Sequence, residues 1–322
     1  MFWSARDYAF LLQSSHLNQG PSHYFSEVAV TIRYCQHRFG AGVMIFRTVL
    51  RVLRPQQWIK NLLVFAAPIA GNTLHNHLSE VCLIFLIFCI TSSIGYVFND
   101  WEDRKFDSEN PKKRHRPFAS GALSGKAAFL ILMTLFVFVI VGLAHNHSFI
   151  FVTCAYLTTS LIYSKWFKRI PVVELVTVSA CFVIRSVAGG VASGSPLSKW
   201  LFLVISFGAL LVISGKRLGE LLQREMTRKV LDDYSESFLR LIMGIGASGS
   251  LFGLTLWAFT QTRNSLLAQI SVVPFAVCIL RLFWILEKGK TQLSEEFPIK
   301  DTVLLTNSAL FGALTLLAIY YN

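Results

Sequence analysis

Charged side chains are scarce in this chain. They make up 15% of its 322 residues, against 53% hydrophobic residues, and a soluble particle of this length needs far more polar cover for its surface. The shortage excludes an ordinary water-soluble domain and points to a membrane protein. Cysteine is present but unorganised. Cys35, Cys82, Cys89, Cys154, Cys181 and Cys278 include no CxxC pair, so neither a disulfide framework nor a zinc site is implied. All but Cys35 fall in apolar stretches and read as apolar filling. No Ser-His-Asp or Cys-His arrangement is implied either, so the chemistry is not expected to run through a protein nucleophile.

What the chain does have is length in its apolar runs. Stretches of roughly 17 to 22 residues suffice to cross about 30 Å of hydrocarbon as helix. Nine are expected, at 60–78, 80–98, 127–144, 147–164, 172–192, 198–215, 241–261, 266–286 and 302–320. The first is short and interrupted by Pro68 and Gly71. The net charge of +12 is one-sided: the 99–126, 163–171, 216–240 and 287–301 loops hold seven, three, six and three Lys or Arg residues. The opposite turns hold only Lys199 and Arg263. Short cytoplasmic loops are enriched in such residues, so the N-terminus and all long loops are expected in the cytoplasm. Topology signalling accounts for most of this charge. A basic face also suits anionic headgroups and anionic substrates, and no nucleic-acid partner is implied.

Residues 1–46 form an extension of mixed character, and 47–322 reads as one membrane domain. His-Asn-His occurs at 75–77 and again at 145–147; both copies fall in outer turns and read as headgroup-level polar residues before they read as a metal site.

Chemistry is expected on the long loops. Directly after the second apolar run come Asn99, Asp100, Asp103 and Asp107. If the helix continues, the three aspartates at i, i+3 and i+7 share one face. Carboxylates so placed repel one another unless a cation sits among them, and oxygen ligands of this kind suit Mg²⁺ carrying a diphosphate. The bland alternative is a solvated helix end whose acids pair with the basic residues nearby. Lys112, Lys113, Arg114, His115 and Arg116 follow, between Pro111 and Pro117, and can neutralise phosphate oxygens directly.

The NDxxDxxxD pattern followed by the basic run resembles the first motif of the UbiA-type membrane prenyltransferase superfamily. The resemblance covers about 47–322. It implies an all-α polytopic bundle of about nine transmembrane helices, with a central polar cavity and a lateral lipid opening. Residues 54–61, Tyr163-Ser164 with Lys168, 182–191, 216–221, 257–259 and 273–275 look like the branch of decaprenyl-phosphate phosphoribosyltransferases. That branch transfers 5-phosphoribose from phosphoribosyl diphosphate to a polyprenyl phosphate, uses Mg²⁺ and releases diphosphate. The resemblance therefore implies a plasma-membrane enzyme with a cytoplasmic active site. Homo-oligomerisation is left open.

Prenyl-transferring relatives carry a second acidic motif after the sixth span. Here Lys216, Arg217 and Glu220 stand instead, a shift from metal binding toward direct anion binding that fits substrates bringing extra phosphates. A plain positive-inside anchor is the competing account of Lys216 and Arg217. Glu174 and Arg185 are charged residues within one span, about 16 Å apart along a helix. They cannot pair with each other, and each is expected to address another helix or the substrate.

The expected site is thus Asn99, Asp100, Asp103 and Asp107 as metal ligands, with the three aspartates essential to catalysis. Lys60, Arg116, Tyr163, Lys168, Lys216 and Arg217 are candidate phosphate contacts, and Asn61, Glu174, Arg185 and Glu220 complete the substrate-binding set. Two rivals stand beside phosphoribosyl transfer: prenyl transfer from a prenyl diphosphate to an aromatic or other polar acceptor, and an anion transporter.

Met44 opens the segment that leads into the first apolar run, and translation from it would give a shorter protein. Mass spectrometry of the native N-terminus tests this: no peptides from 1–43 are expected, and finding them would refute the shorter start.

Overall fold

The computed structural model describes residues 47–223, 229–260, 265–288 and 301–321. The extension 1–46, with Cys35 and Met44, lies outside the described residues, as do Arg224, Arg228, Arg263, Lys290 and Lys300. The chain divides into two units, Met1–Leu50 and Arg51–Asn322. Of the first, only 47–50 is described, and it is helical. The second holds all the other described residues.

Every regular element among the described residues of that unit is a helix. A 3₁₀ segment, Pro55–Phe65, runs into the short α1, Ala66–Ala70. Then follow α2, Leu78–Glu102; α3, Arg104–Glu109; α4, Gly125–His145; α5, Ile150–Lys165; and α6, Val173–Ser193. The remainder comprises α7, Lys199–Leu222; α8, Glu236–Thr260; α9, Ser265–Glu287; and α10, Thr302–Tyr320. Side-chain caps mark several starts. Ser124, Ser198 and Asp301 accept hydrogen bonds from the backbone N–H groups of Ala127, Leu201 and Leu304, satisfying donors that a helix start leaves free. At the end of α6, Gly194 takes a left-handed φ of 63° and its N–H returns to Gly190 O, a conformation that costs glycine little.

Seven helices among the described residues are long and apolar enough to cross a membrane: α2, α4, α6, α7, α8, α9 and α10. Seven of the nine expected spans are met by such helices, and the stretches at 147–164 and 60–78 take other forms. Helix α5 has only 16 residues, though the 3₁₀ turn His147–Phe149 leads into it. The segment expected at 60–78 is not a spanning α-helix at all. Pro55 opens a 3₁₀ run of 11 residues, α1 adds five, and the chain then turns at Gly71 and Asn72, where φ is 54°. The tighter 3₁₀ winding rises about 2 Å per residue, so this composite still extends along the bundle. Leu53 O and Asn61 meet Ser93 and Ser92 of α2, Ser186 donates to Leu63 O, and Tyr320 at the end of α10 donates to Ile69 O.

Two large apolar clusters make most of the core among the described residues. One gathers Ile84, Phe88, Phe149 and Tyr156 among α2, α4, α5 and α6. The other gathers Leu211, Leu218, Met243 and Leu286 among α6 to α9. Helix α6 contributes to both, and α4 and α10 leave most of their apolar residues exposed, as lipid-facing helices do. The two His-Asn-His copies sit at the end opposite the acidic motif. No group of three or more His, Cys, Asp or Glu residues among the described residues is arranged to hold a metal.

The closest approach to the 3₁₀ segment is at Gly189 of α6, where an added Cβ would lie 1.6 Å from Val64 O. Gly244 of α8 has nothing within 4 Å of such an atom. Gly189→Ala is therefore expected to unseat the segment and lower the melting temperature in detergent markedly, whereas Gly244→Ala leaves it unchanged or slightly raised, alanine's helix preference over glycine being up to about 1 kcal/mol. Equal melting of the two variants would contradict this packing.

Candidate active site at the acidic end of the bundle

The end of α2 does not continue as one helix. Helix α2 stops at Glu102, Asp103 caps it, and α3 begins at Arg104. Arg104 causes the break locally: its Nη1 donates to Trp101 O at 2.7 Å and its guanidinium lies over the Trp101 ring, satisfying a carbonyl that a further helical turn would have used. The expectation of three aspartates on one continuous helical face is thereby corrected. The break separates them into two groups.

Asp100 and Asp107 form the first group and are both buried. Arg116 Nη1 donates to Asp100 Oδ1 at 3.1 Å and to Asp107 Oδ2 at 2.7 Å, so one nitrogen bridges both carboxylates. Arg54 Nη2 adds a second bond to Asp100 Oδ1 at 2.6 Å. Asp107 Oδ1 is buried with no hydrogen-bond donor, and Lys113 Nζ stands 3.9 Å from it. Asp103 and Asn99 form the second group around Lys168, whose Nζ lies 2.6 Å from Asp103 Oδ1 and 3.2 Å from Asn99 Oδ1. Lys168 arrives from the 3₁₀ turn Phe167–Arg169 after α5.

The loop that delivers Arg116 is shaped by its own sequence. Asn110 turns the chain by accepting from Lys112 N, a turn its short amide favours. Phe118 then packs edge-on to Trp101 and, with Ala128 and Val97, anchors the loop to α2 and α4.

A second charged group lies where α6 begins and α7 ends. Glu174 is wholly buried and takes a two-point bond from Arg217, Nε to Oε1 at 2.6 Å and Nη2 to Oε2 at 2.8 Å. The remaining arginine nitrogen donates to Glu220 at 3.0 Å. Arg217 thus faces inward, while its sequence neighbour Lys216 is exposed, as a step of about 100° around a helix requires. Tyr163 lies close enough to Arg217 and Tyr234 to interact electrostatically with both.

Asn61 and Arg185 are not part of either acidic group. Arg185 Nε donates to Asn61 Oδ1, Nη2 to the Tyr156 hydroxyl and Nη1 to Cys181 O; Asn61 in turn donates to Ser92. The pair ties the 3₁₀ segment to α2, α5 and α6. Lys60 pairs with Gln57 within the segment.

Two residues were missed. Arg54 holds Asp100 from a left-handed backbone conformation, φ 51°, which costs a non-glycine residue about 1–3 kcal/mol. The signals were its position directly before Pro55 and its place at the head of the 54–61 segment. Tyr234 accepts a 2.8 Å hydrogen bond from Val172 N, at the start of α6. Val172 itself has φ 66° and ψ −49°, with Val173 N bonded back to Pro171 O, a strained γ-turn two residues before Glu174. Burial pushes the Tyr234 phenol above its ordinary pKa, so the hydroxyl stays neutral.

An apolar helical bundle with paired acids and bases gathered at one end defines a class: multi-pass membrane proteins with a charged site at one end of the bundle. The profile of the UbiA prenyltransferase family matches residues 62–299, and the chain belongs to that family as a multi-pass membrane protein. It is 36% identical over 270 residues to decaprenyl-phosphate phosphoribosyltransferase of Mycobacterium tuberculosis, covering 80% of this chain and 89% of that one. It is 35% identical over 276 residues to the protein of the same description in Corynebacterium glutamicum, covering 80% and 82%. Among solved structures, a UbiA homolog from Archaeoglobus fulgidus bound to GPP and Mg²⁺ matches with a TM-score of 0.67, over 84% of this chain and 98% of that one, at 15% identity. That likeness shows the fold.

Removing one partner of a buried ion pair leaves the other uncompensated, at a cost of about 3–5 kcal/mol. Arg217→Met is therefore expected to lose most of the folded protein in detergent, and Arg217→Met combined with Glu174→Gln to recover much of it. Additive losses in the double variant would contradict a coupled pair.

Proposed function

We propose that this chain transfers 5-phosphoribose from phosphoribosyl diphosphate to a polyprenyl phosphate and releases diphosphate. The reading is supported by the names of its relatives at 35 and 36% identity over most of both chains. The observation that carries it is the density of basic side chains on the acidic end: Arg54, Arg116 and Lys168 all reach the aspartates. Both proposed substrates bring phosphate groups for such cations to meet. The acidic end faces the cytoplasm of a plasma-membrane protein in this reading, because the basic loops lie there.

Mg²⁺ fits the donor set at Asp100 and Asp107. Their oxygens converge on a single nitrogen, and Asp107 keeps one buried oxygen without a donor. No protein cage of three acidic, histidine or cysteine ligands exists among the described residues, and Mg²⁺ normally takes one or two carboxylates and completes its shell with substrate phosphates and water. Bound there, the ion would neutralise charge on the departing diphosphate. Asp103 and Asn99 sit one turn away and position Lys168.

The chain's own residues then do three things. Asp100 and Asp107 orient the diphosphate end of the donor. Arg54, Arg116 and Lys168 take phosphate oxygens and stabilise the leaving group as the ribose C1 bond breaks. The lipid phosphate oxygen attacks C1 in place of water, so catalysis is positioning and charge stabilisation. Glu174, Arg217 and Glu220 hold the ends of α6 and α7 together.

Purified protein incubated with radiolabelled phosphoribosyl diphosphate, a polyprenyl phosphate and Mg²⁺ is expected to yield lipid-linked label. Label transferred only from a prenyl diphosphate would favour prenyl transfer and overturn the reading. Asp103→Asn, which weakens the hold on Lys168, is expected to reduce turnover by about 100-fold with unchanged melting; full activity would remove Asp103 from the site.

A further inference from the structure

The two acidic groups hold their cations in different ways. At the first, three aspartates face Arg54, Arg116 and Lys168. Arg54 and Arg116 are about a quarter exposed, at 25% and 27%. Arg116 meets each carboxylate through a single nitrogen, and Asp107 still has a buried oxygen with no donor. These are single-nitrogen bonds whose arginine ends reach water while the carboxylates they hold are buried. At the second group the Arg217 side chain is 4% exposed, its two-point bond fixes Glu174, and its third nitrogen binds Glu220. An ion entering there would take Glu174 from a guanidinium that is itself buried, leaving two of its nitrogens without an acceptor at a cost of several kcal/mol.

We infer that this chain takes one divalent ion per active site, that the ion arrives with the diphosphate, and that Arg116 holds its place until then. The inference deepens the proposed function and rests on its placing of a diphosphate at the acidic end. Charge balance gives the order. The three aspartates are already matched by cations, so a bare dication adds unfavourable positive charge and displaces a guanidinium from buried carboxylates without offering it another anion. A dication chelated to diphosphate brings phosphate oxygens with it. Arg116 and Lys168 can then move from carboxylate to phosphate without losing an anionic partner, and the freed oxygens of Asp100 and Asp107, with the orphaned one of Asp107, become ligands. At the second group Arg217 is a permanent cation, so no second ion is taken.

The test is equilibrium dialysis of the full chain in detergent against radiolabelled Mn²⁺, with and without inorganic pyrophosphate, reading ions bound per chain. With pyrophosphate, one ion per chain is expected; without it, binding at least about tenfold weaker. Arg116→Gln, checked for an unchanged melting temperature, is expected to bind Mn²⁺ without pyrophosphate about tenfold more tightly than the wild type. Lys168→Gln serves as the second variant if Arg116→Gln does not fold, with the same direction expected. Two ions per chain, equal wild-type affinity with and without pyrophosphate, no binding in its presence, or no gain in the folded variant would each overturn the inference. Pyrophosphate carries no ribose. Failure of phosphoribosyl transfer with these binding results intact would therefore sink the proposed function alone, and transfer without them would sink only the order and number of ions.

Discussion

One nitrogen of Arg116 lies between Asp100 and Asp107, and the acidic end of the bundle is organised around that contact. Two carboxylates buried this close repel each other unless a cation lies between them. Asp100 comes from the end of α2 and Asp107 from α3, and the loop anchored by Phe118 on Trp101 carries Arg116 between them. The resulting arrangement is balanced in charge yet incomplete in hydrogen bonding, which makes it receptive to a ligand bringing both a cation and anionic oxygens.

The rest of the structure holds this end steady. Arg185 and Asn61 bind the 3₁₀ segment into the bundle interior, and that segment presents Arg54 from a strained backbone. On the other side, Arg217 joins the ends of α6 and α7, while Tyr234 clamps the γ-turn at Val172 that starts α6. Strained residues thus flank the acidic groups on both sides, and each is held by a hydrogen bond or ion pair from another element. Such strain persists only where surrounding contacts over-determine it.

The membrane class and the acidic motif were legible in the sequence because both are local signals: long apolar runs, and aspartates at the end of one of them. The basic residues that answer those aspartates were legible as a set. Their assignments were less so. Lys216 and Arg217 are adjacent and looked equivalent, yet one is exposed and the other is locked to Glu174, which lies 43 residues away. No periodicity reveals that partner. The helix break at Asp103 likewise depends on Arg104 folding back onto Trp101, and the 3₁₀ segment depends on packing against Gly189 that only the assembled bundle displays. Arg54 and Tyr234 escaped notice because each acts on a residue distant in sequence.

The most direct measurement is an experimental structure of the protein with Mg²⁺ and phosphoribosyl diphosphate bound. The account predicts a single ion between Asp100 and Asp107, with Arg116 withdrawn from both carboxylates and bonded to diphosphate oxygens. Arg116 still bridging the two aspartates, with the diphosphate bound elsewhere, would contradict it.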